Sequence, residues 1–256
     1  MDRPTSAFRK VPELTVYFWV IKLLTTGMGE TTSDYLVHQI EPVIAVGLGG
    51  LVLAVALLIQ FSTDRYRAPA YWFAVAMVAV FGTMAADVLH IGLGIPYVVS
   101  SGFFAIALGV VLLAWHRTEG TLSIHSITTR RRELFYWATV VTTFALGTAA
   151  GDMTAITLHL GYFASGWLFV GLIALPALAY RFAHLNAVVA FWFAYIVTRP
   201  LGASFADWAG RAQSAGGMGL GTGLISIVLA IVTIGLVGYL TVTRADVGGD
   251  AEVLIE

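Results

Sequence analysis

Four aspartates recur at one position in four related stretches of the sequence. They are Asp34, Asp87, Asp152 and Asp207. Each lies 15 residues after the tryptophan of an aromatic–Trp pair, and the tryptophans are Trp19, Trp72, Trp137 and Trp192. A glycine precedes each aspartate by five residues, at Gly29, Gly82, Gly147 and Gly202. Carboxylates bind hard cations and carry protons, and ionisable residues inside a membrane mark ion and proton pathways.

The residue after each glycine lies four before the aspartate and so shares its helix face. It is Glu30, Thr83, Thr148 or Ala203. Glu30 adds a second carboxylate to the first stretch, whereas Thr83 and Thr148 could brace an aspartate or offer an oxygen to an ion.

Two cations and a proline distinguish the first and fourth stretches. Lys22 lies deep in the first, and Arg199 is followed at once by Pro200 in the fourth. We predict that Pro200 opens its helix, as a proline in a helix interior removes a backbone hydrogen bond. Five carboxylates and two cations leave a formal charge of −3, which favours a cation pathway. The alternative is that Lys22 pairs with Glu30 and Arg199 with an aspartate, with protons neutralising the rest.

The composition predicts an all-α, polytopic membrane protein. Hydrophobic residues make up 58% of the 256 residues and charged residues 11%, against about 25% charged in soluble domains. A spanning helix needs about 20 apolar residues. We predict eight spans, at about 12–35, 43–61, 70–90, 95–115, 134–156, 160–180, 186–206 and 220–243. We expect one transmembrane domain over 1–256.

The basic residues predict the orientation. In an eight-span arrangement, 11 of the 14 Lys and Arg residues fall on one side and one, Arg211, on the other. By the positive-inside rule, both termini are then cytoplasmic, including a tail at 244–256.

The four stretches begin four tandem repeats, at approximately 11–65, 66–118, 130–182 and 184–243. Each repeat is a motif helix followed by a plainer helix, and each starts on the same side, so the repeats are parallel. We expect the motif helices inside the bundle and the plainer helices outside, facing lipid.

The chain resembles a family of bacterial inner-membrane proteins with four tandem copies of a two-span repeat of unknown function. The resemblance covers about residues 11–243 and is carried by VPELTVYFWVIKLLTTGMGE, RRELFYWATVVTTFALGTAAGD and FWFAYIVTRPLGASFADW. The resemblance implies the fold and a location in the bacterial inner membrane. The family itself has only a loose association with metal-ion resistance.

The tryptophans and glycines have structural interpretations. A spacing of 15 residues spans about 22 Å of helix, so a tryptophan in the aromatic belt at the cytoplasmic interface places its aspartate in the outer half of the bilayer. The alternative for the tryptophans is packing around a central pathway. We expect the glycines to permit close helix packing.

The metal-site hypothesis assigns the ligands to the five carboxylates, Glu30, Asp34, Asp87, Asp152 and Asp207. His38, His90 and His159 follow their aspartates by four, three and seven residues and could complete the site, because imidazole with carboxylate suits transition metals. The alternative is that each is an interfacial histidine.

The function that we expect from these residues is secondary transport, as an exporter, of a divalent metal cation such as Mn²⁺, with proton coupling. One alternative is an anion or small organic substrate bound by Lys22 and Arg199. Another is a structural or sensor subunit without transport. The sequence has no P-loop, HExxH or GxSxG pattern. We therefore expect neither enzymatic activity nor a cofactor. We expect contact with membrane lipid and no binding of nucleic acid, and the sequence leaves open whether the protein forms a homodimer.

Overall fold

The computed structural model describes residues 9–247, and within them the chain is all-α. Each motif helix alternates with a plainer helix. The eight long helices are α1 (Val16–Gln39), α2 (Pro42–Ser62), α3 (Ala68–Asp87), α4 (Tyr97–Glu119), α5 (Arg130–Asp152), α6 (Gly161–Ala183), α7 (Ala187–Gly210) and α8 (Thr222–Thr243). The predicted tail at 244–256 lies largely outside the described residues.

Seven of these helices, α2 to α8, are long and apolar enough to cross a membrane. The protein is therefore a multi-pass membrane protein. The exception is α1, which carries Lys22, Glu30 and Asp34. The predicted count of eight spans is not confirmed.

The four motif helices form a closed ring. Helix α1 packs against α3 and α7, and α5 completes the ring by packing against the same two helices. Aromatic residues meet at the N-terminal ends, as in the contact of Phe18 with Trp72, and carboxylates meet near the C-terminal ends. The motif helices are therefore parallel and lie inside, as predicted.

The plainer helices cover the ring from outside and interlock the repeats. Helix α2 packs mainly on α3, α4 on α5, and α6 on α7, while α8 closes the circle on α1. Each plainer helix thus rests on the motif helix of the following repeat. Their outward faces are exposed and apolar, with residues such as Leu58, Ile106 and Ile234.

The motif glycines make the ring contacts, and each faces an equivalent residue of the next motif helix. The contacts join Gly29 to Ala79, Gly82 to Phe144, Gly147 to Arg199 and Gly202 to Thr26. The position in contact lies eight residues before the aspartate in every case. This fourfold regularity supports the predicted packing role of the glycines.

We expect Gly29→Ala to lower stability by about 1–3 kcal/mol, the usual effect of overpacking a tight contact. A Cβ at this position would lie 3.0 Å from the backbone Cα of Ala79, which cannot rotate away. The control is Gly109→Ala in α4, where a Cβ would meet nothing within 4 Å. Thermal unfolding in detergent should show a lower midpoint for Gly29→Ala alone. Equal midpoints would contradict the tight ring.

The N-terminal strap, residues 9–15, crosses the end of the bundle at which the motif helices begin. Lys10 Nζ lies 2.6 Å from Glu133 Oε2, and both side chains are buried. Gln60 Nε2 donates to the other Glu133 oxygen at 3.0 Å. The Tyr66 amide donates to Arg9 O, and the Glu13 amide to Asp246 O. The strap therefore links the loop before α3, the segment after α8 and helix α5, and it covers this end of the ring.

The predicted aromatic belt is wrong for three of the four tryptophans. Trp72, Trp137 and Trp192 are at most 4% exposed and belong to the core. They pack against aromatic residues of neighbouring motif helices, and Trp192 Nε1 donates to Leu122 O at 3.0 Å. Trp19 is half-buried against Phe191. Packing between parallel motif helices takes these rings away from lipid.

The opened turn predicted at Pro200 is not formed, because α7 continues through this residue. Its ring packs on α5, where Gly147 and Gly151 have no Cβ to obstruct it. This contact holds the proline inside a continuous helix.

Candidate functional site

The axis of the ring is built in layers, because every fourth residue of a helix returns to about the same face. The carboxylate layer holds the four repeated aspartates. One turn earlier lie Glu30, Thr83, Thr148 and Ala203, then Thr26, Ala79, Phe144 and Arg199, then Lys22, Val75, Val140 and Tyr195. The next layer toward the strap, which we call the aromatic layer, consists of Phe18, Tyr71, Tyr136 and Phe191.

Arg199 lies on the axis of the ring and is fully buried. Its Nη2 lies 2.6 Å from Glu30 Oε2 and 2.8 Å from Thr148 Oγ1, and it also donates to Thr83 Oγ1. Its Nη1 donates to Thr26 O at 3.2 Å. One guanidinium therefore binds the equivalent residues of the three other repeats.

A glycine makes room for the aliphatic part of the Arg199 side chain. Gly147 packs against its Cβ and Cγ, and Ala203 stands where the other repeats carry Glu or Thr. The alternative pairing considered from the sequence, Lys22 with Glu30 and Arg199 with an aspartate, is not formed, because Glu30 pairs with Arg199.

Three carboxylates converge beside this pair. Single oxygens of Glu30, Asp152 and Asp207 all lie within 4.8 Å of one another, and all three residues are buried. We call this group the carboxylate cluster. Like charges this close repel one another. Arg199 pairs with Glu30 and Arg211 with Asp207, so a cation or a proton at the third carboxylate, Asp152, would relieve the remaining repulsion. An all-oxygen ligand set suits Mg²⁺, Ca²⁺ or Mn²⁺.

Arg211 covers the carboxylate layer from the far side. Its Nη2 lies 2.9 Å from Asp34 Oδ2, its Nε lies 3.0 Å from Asp207 Oδ1, and its guanidinium stands over the Tyr162 ring. Burial alone would lower the pKa of Arg211, but the Asp207 and Asp34 carboxylates outweigh it and raise that pKa above its ordinary value. At 30% exposure, its side chain reaches solvent.

This role of Arg211 was not predicted from the sequence. The sequence did contain an indication of this contact. Arg211 follows Asp207 by four residues, and it is the one basic residue on its side of the predicted topology. With Arg211 added to Lys22 and Arg199, the axis holds five carboxylates and three cations, which leaves a formal charge of −2.

Asp34 and Asp87 occupy the same layer outside the cluster. Asp34 is held by Arg211, and Asp87 is half-buried.

After Asp87 and Asp152, each helix continues as a single π-helical stretch, Val88–Gly92 and Met153–Thr157. Such π-turns occur frequently at functional sites.

Lys22 lies below Arg199 and does not reach the carboxylates. Its Nζ stands 4.1 Å from the centre of the Phe144 ring and 3.9 Å from that of Tyr195, and it has no hydrogen-bond partner among residues 9–247. The hydroxyls of Tyr71 and Tyr136 bond to each other in the aromatic layer. Aromatic side chains thus separate the charged layers from the strap.

The three histidines lie apart from the carboxylate cluster. His38 is exposed and contacts Asp34 O, His159 is exposed, and the buried His90 contacts Ser100 and the Tyr97 ring. Within the described part of the chain, the structure brings none of them together with Glu30, Asp152 and Asp207.

The fold and axis define a class: a multi-pass helical membrane protein with four two-helix repeats around a buried, charged axis. Residues 17–66, 70–121, 135–185 and 190–246 match the model of a family described as the Repeat of Unknown Function (DUF347). The chain belongs to this family, which confirms the four-repeat resemblance drawn from the sequence. No curated protein and no solved structure matches it.

Proposed function

We propose that the protein is a secondary transporter of a divalent metal cation such as Mn²⁺, exchanged for protons. The observation that carries this proposal is the carboxylate cluster, in which oxygens of Glu30, Asp152 and Asp207 lie within 4.8 Å of one another in a buried site. Three repeats contribute to the cluster, and the second repeat contributes Thr83 to the layer beside it, as expected if the four repeats together form one site.

The chemistry of the cluster supports a hard cation. All its ligand atoms are carboxylate oxygens, and the sequence has no cysteine that would favour a thiolate-binding metal. A cation bound there would share Glu30 with Arg199 and would contact Asp152 and Asp207 directly.

Proton coupling follows from the same residues. Carboxylates must lose their protons to bind a metal, so cation binding releases protons and affinity rises with pH. A cluster that holds either the cation or protons is the simplest coupling device, and no second site is needed.

The arrangement of the two ends supports access from the Arg211 side in this conformation. Arg211 is partly exposed and is held by two carboxylates, whereas the aromatic layer and the buried Lys10–Glu133 pair close the other end. We propose that export requires this closed end to open toward the cytoplasm and Arg211 to move aside for release.

The location belongs to the same proposal. We propose the bacterial inner membrane, with α1 as an eighth span enclosed by α3, α7 and α8, and both termini in the cytoplasm. The ring closes within one chain, so the proposed site is complete without a second copy, although a homodimer is compatible with it.

The competing anion or organic-substrate hypothesis places the substrate on Lys22 and Arg199. Arg199 is already bound by Glu30, Thr83 and Thr148, and Lys22 is enclosed by rings. This arrangement favours the cation.

The test is Mn²⁺ flux in proteoliposomes with an imposed pH gradient. We expect flux in the wild type that depends on the gradient and is lost, by at least tenfold, in Asp152→Asn. The control is Asp64→Asn, which removes the same charge from an exposed loop residue. Absence of flux for Mn²⁺, Mg²⁺ and Ca²⁺ in the wild type would contradict the proposal, as would unchanged flux in Asp152→Asn.

A further inference from the structure

A groove runs along the outside of the bundle between α3 and α8. Its apolar part has a volume of about 450 Å³ and is lined by residues that include Phe73, Met77, Ile234 and Val237. At the end where α3 begins, it meets a second cavity of about 390 Å³. Pro69 and Thr241 line both cavities, so the two form one continuous groove.

Three arginines line the second cavity. Arg65 and Arg67 precede α3, and Arg244 follows α8. All three are exposed, and none forms an ion pair with another residue of the segment 9–247. The polar end of an apolar groove therefore carries three positive charges.

One carboxylate also lines this cavity, but it is turned inward. Asp246 is 2% exposed and accepts a hydrogen bond from the Tyr66 hydroxyl. Burial raises the pKa of Asp246, against the lowering effect of the Tyr66 hydrogen bond. The surface presented to a ligand is thus set by the arginines.

We propose that this groove is a binding site for an anionic phospholipid, with the phosphate on Arg65, Arg67 and Arg244 and an acyl chain along α3 and α8. Guanidinium groups bind phosphate through paired hydrogen bonds. Basic clusters beside membrane spans attract anionic lipids. The apolar groove beginning at the arginines matches the two chemically different parts of such a lipid. This inference does not depend on the proposed transport.

The repeats supply an internal comparison. A groove of about 580 Å³ lies at the corresponding place one repeat earlier in the circle, where α6 and α7 meet α1. Trp19 and Leu201 stand there in the places of Trp72 and Met28. The groove between α6 and α1 is lined by His125 and by no arginine. The same architecture without the arginines should accept lipid without selecting its headgroup.

The experiment measures retention of phosphatidylglycerol against phosphatidylcholine with the same acyl chains. Native mass spectrometry of the detergent-purified full chain gives the lipid occupancy at a series of concentrations. We expect phosphatidylglycerol to bind more tightly by at least tenfold, because each basic residue near the membrane contributes about fivefold. The preference should weaken as NaCl rises.

Two triple variants distinguish the groove from net charge. Arg65→Gln/Arg67→Gln/Arg244→Gln should lose the preference, whereas Arg117→Gln/Arg130→Gln/Arg181→Gln, which removes three other exposed arginines, should keep it. Equal loss in both triples, or equal wild-type binding of the two lipids, would overturn the proposal. So would full competition by millimolar inorganic phosphate, since a free anion would then be the ligand. If the first triple does not fold, Arg67→Gln alone should reduce the preference about fivefold.

Discussion

Glu30→Gln is expected to lower the stability of the protein by about 3–5 kcal/mol, because it leaves a buried arginine without its counter-charge. Arg199 is 0% exposed, Glu30 is 2% exposed, and their charged atoms lie 2.6 Å apart. The measurement is thermal unfolding in detergent with a chelator present, so that no divalent cation contributes. Asp64→Asn, which removes an exposed carboxylate, should leave the midpoint nearly unchanged.

A second variant tests the pair itself. Replacing both partners removes the uncompensated charge, so Glu30→Gln/Arg199→Met should recover part of the lost stability. Thr83 and Thr148 would keep their bonds to Ala79 O and Phe144 O. A double variant less stable than Glu30→Gln would show that the buried pair is not the main source of the effect.

Asp152→Asn is expected to have the opposite effect on the cation-free protein and to raise its stability by about 1–3 kcal/mol. Two unit charges 4.8 Å apart repel by about 3 kcal/mol at an effective dielectric constant of 20, and protonation reduces this. Asp152 belongs to the cluster, but no ion pair holds it among the described residues. The same change removes a proposed ligand, so stability and transport should move in opposite directions.

The control for this prediction is Asp87→Asn. Asp87 occupies the same position in the second repeat, but it is half-buried and lies outside the three-carboxylate cluster. Chemical or thermal unfolding at pH 7.5 with chelator should therefore show a smaller gain. A loss of stability in Asp152→Asn would mean that this carboxylate braces a helix and is not held under repulsion for a ligand.

The sequence predicted parallel repeats with the motif helices inside, because its signal is repeated four times without gaps. The spacing of Trp, Gly and Asp defines one register, and that register places Gly29 and its equivalents at the ring contacts. The same register brought Glu30, Asp152 and Asp207 together, since residues four apart share a helix face. Burial of the motif helices followed from the plainer, more apolar composition of their partners.

Other features depended on contacts between segments far apart in the sequence. The partner of Glu30 is 169 residues away, so composition could not choose between Lys22 and Arg199. Arg211 lies in a loop, and its position over Asp34 follows from how α7 and α1 meet. The tryptophans look like interface residues singly, yet the parallel ring brings their neighbours close enough to bury them. Pro200 alone predicts a broken helix, and the sequence does not show that Gly147 and Gly151 of α5 lie opposite it and leave room for its ring.

The most direct test of the account is the thermal stability of the purified protein with Mn²⁺, Mg²⁺, Ca²⁺, Zn²⁺, Ni²⁺ or Co²⁺, and with several anions. A ligand at a hundredfold excess over its Kd stabilises the folded state by about 2.7 kcal/mol. We predict a selective rise in thermal stability with a hard divalent cation. This rise should grow with pH and disappear in Asp152→Asn and Asp207→Asn. No rise with any cation, or a rise with an anion that depends on Arg199, would contradict the carboxylate cluster as the site of transport.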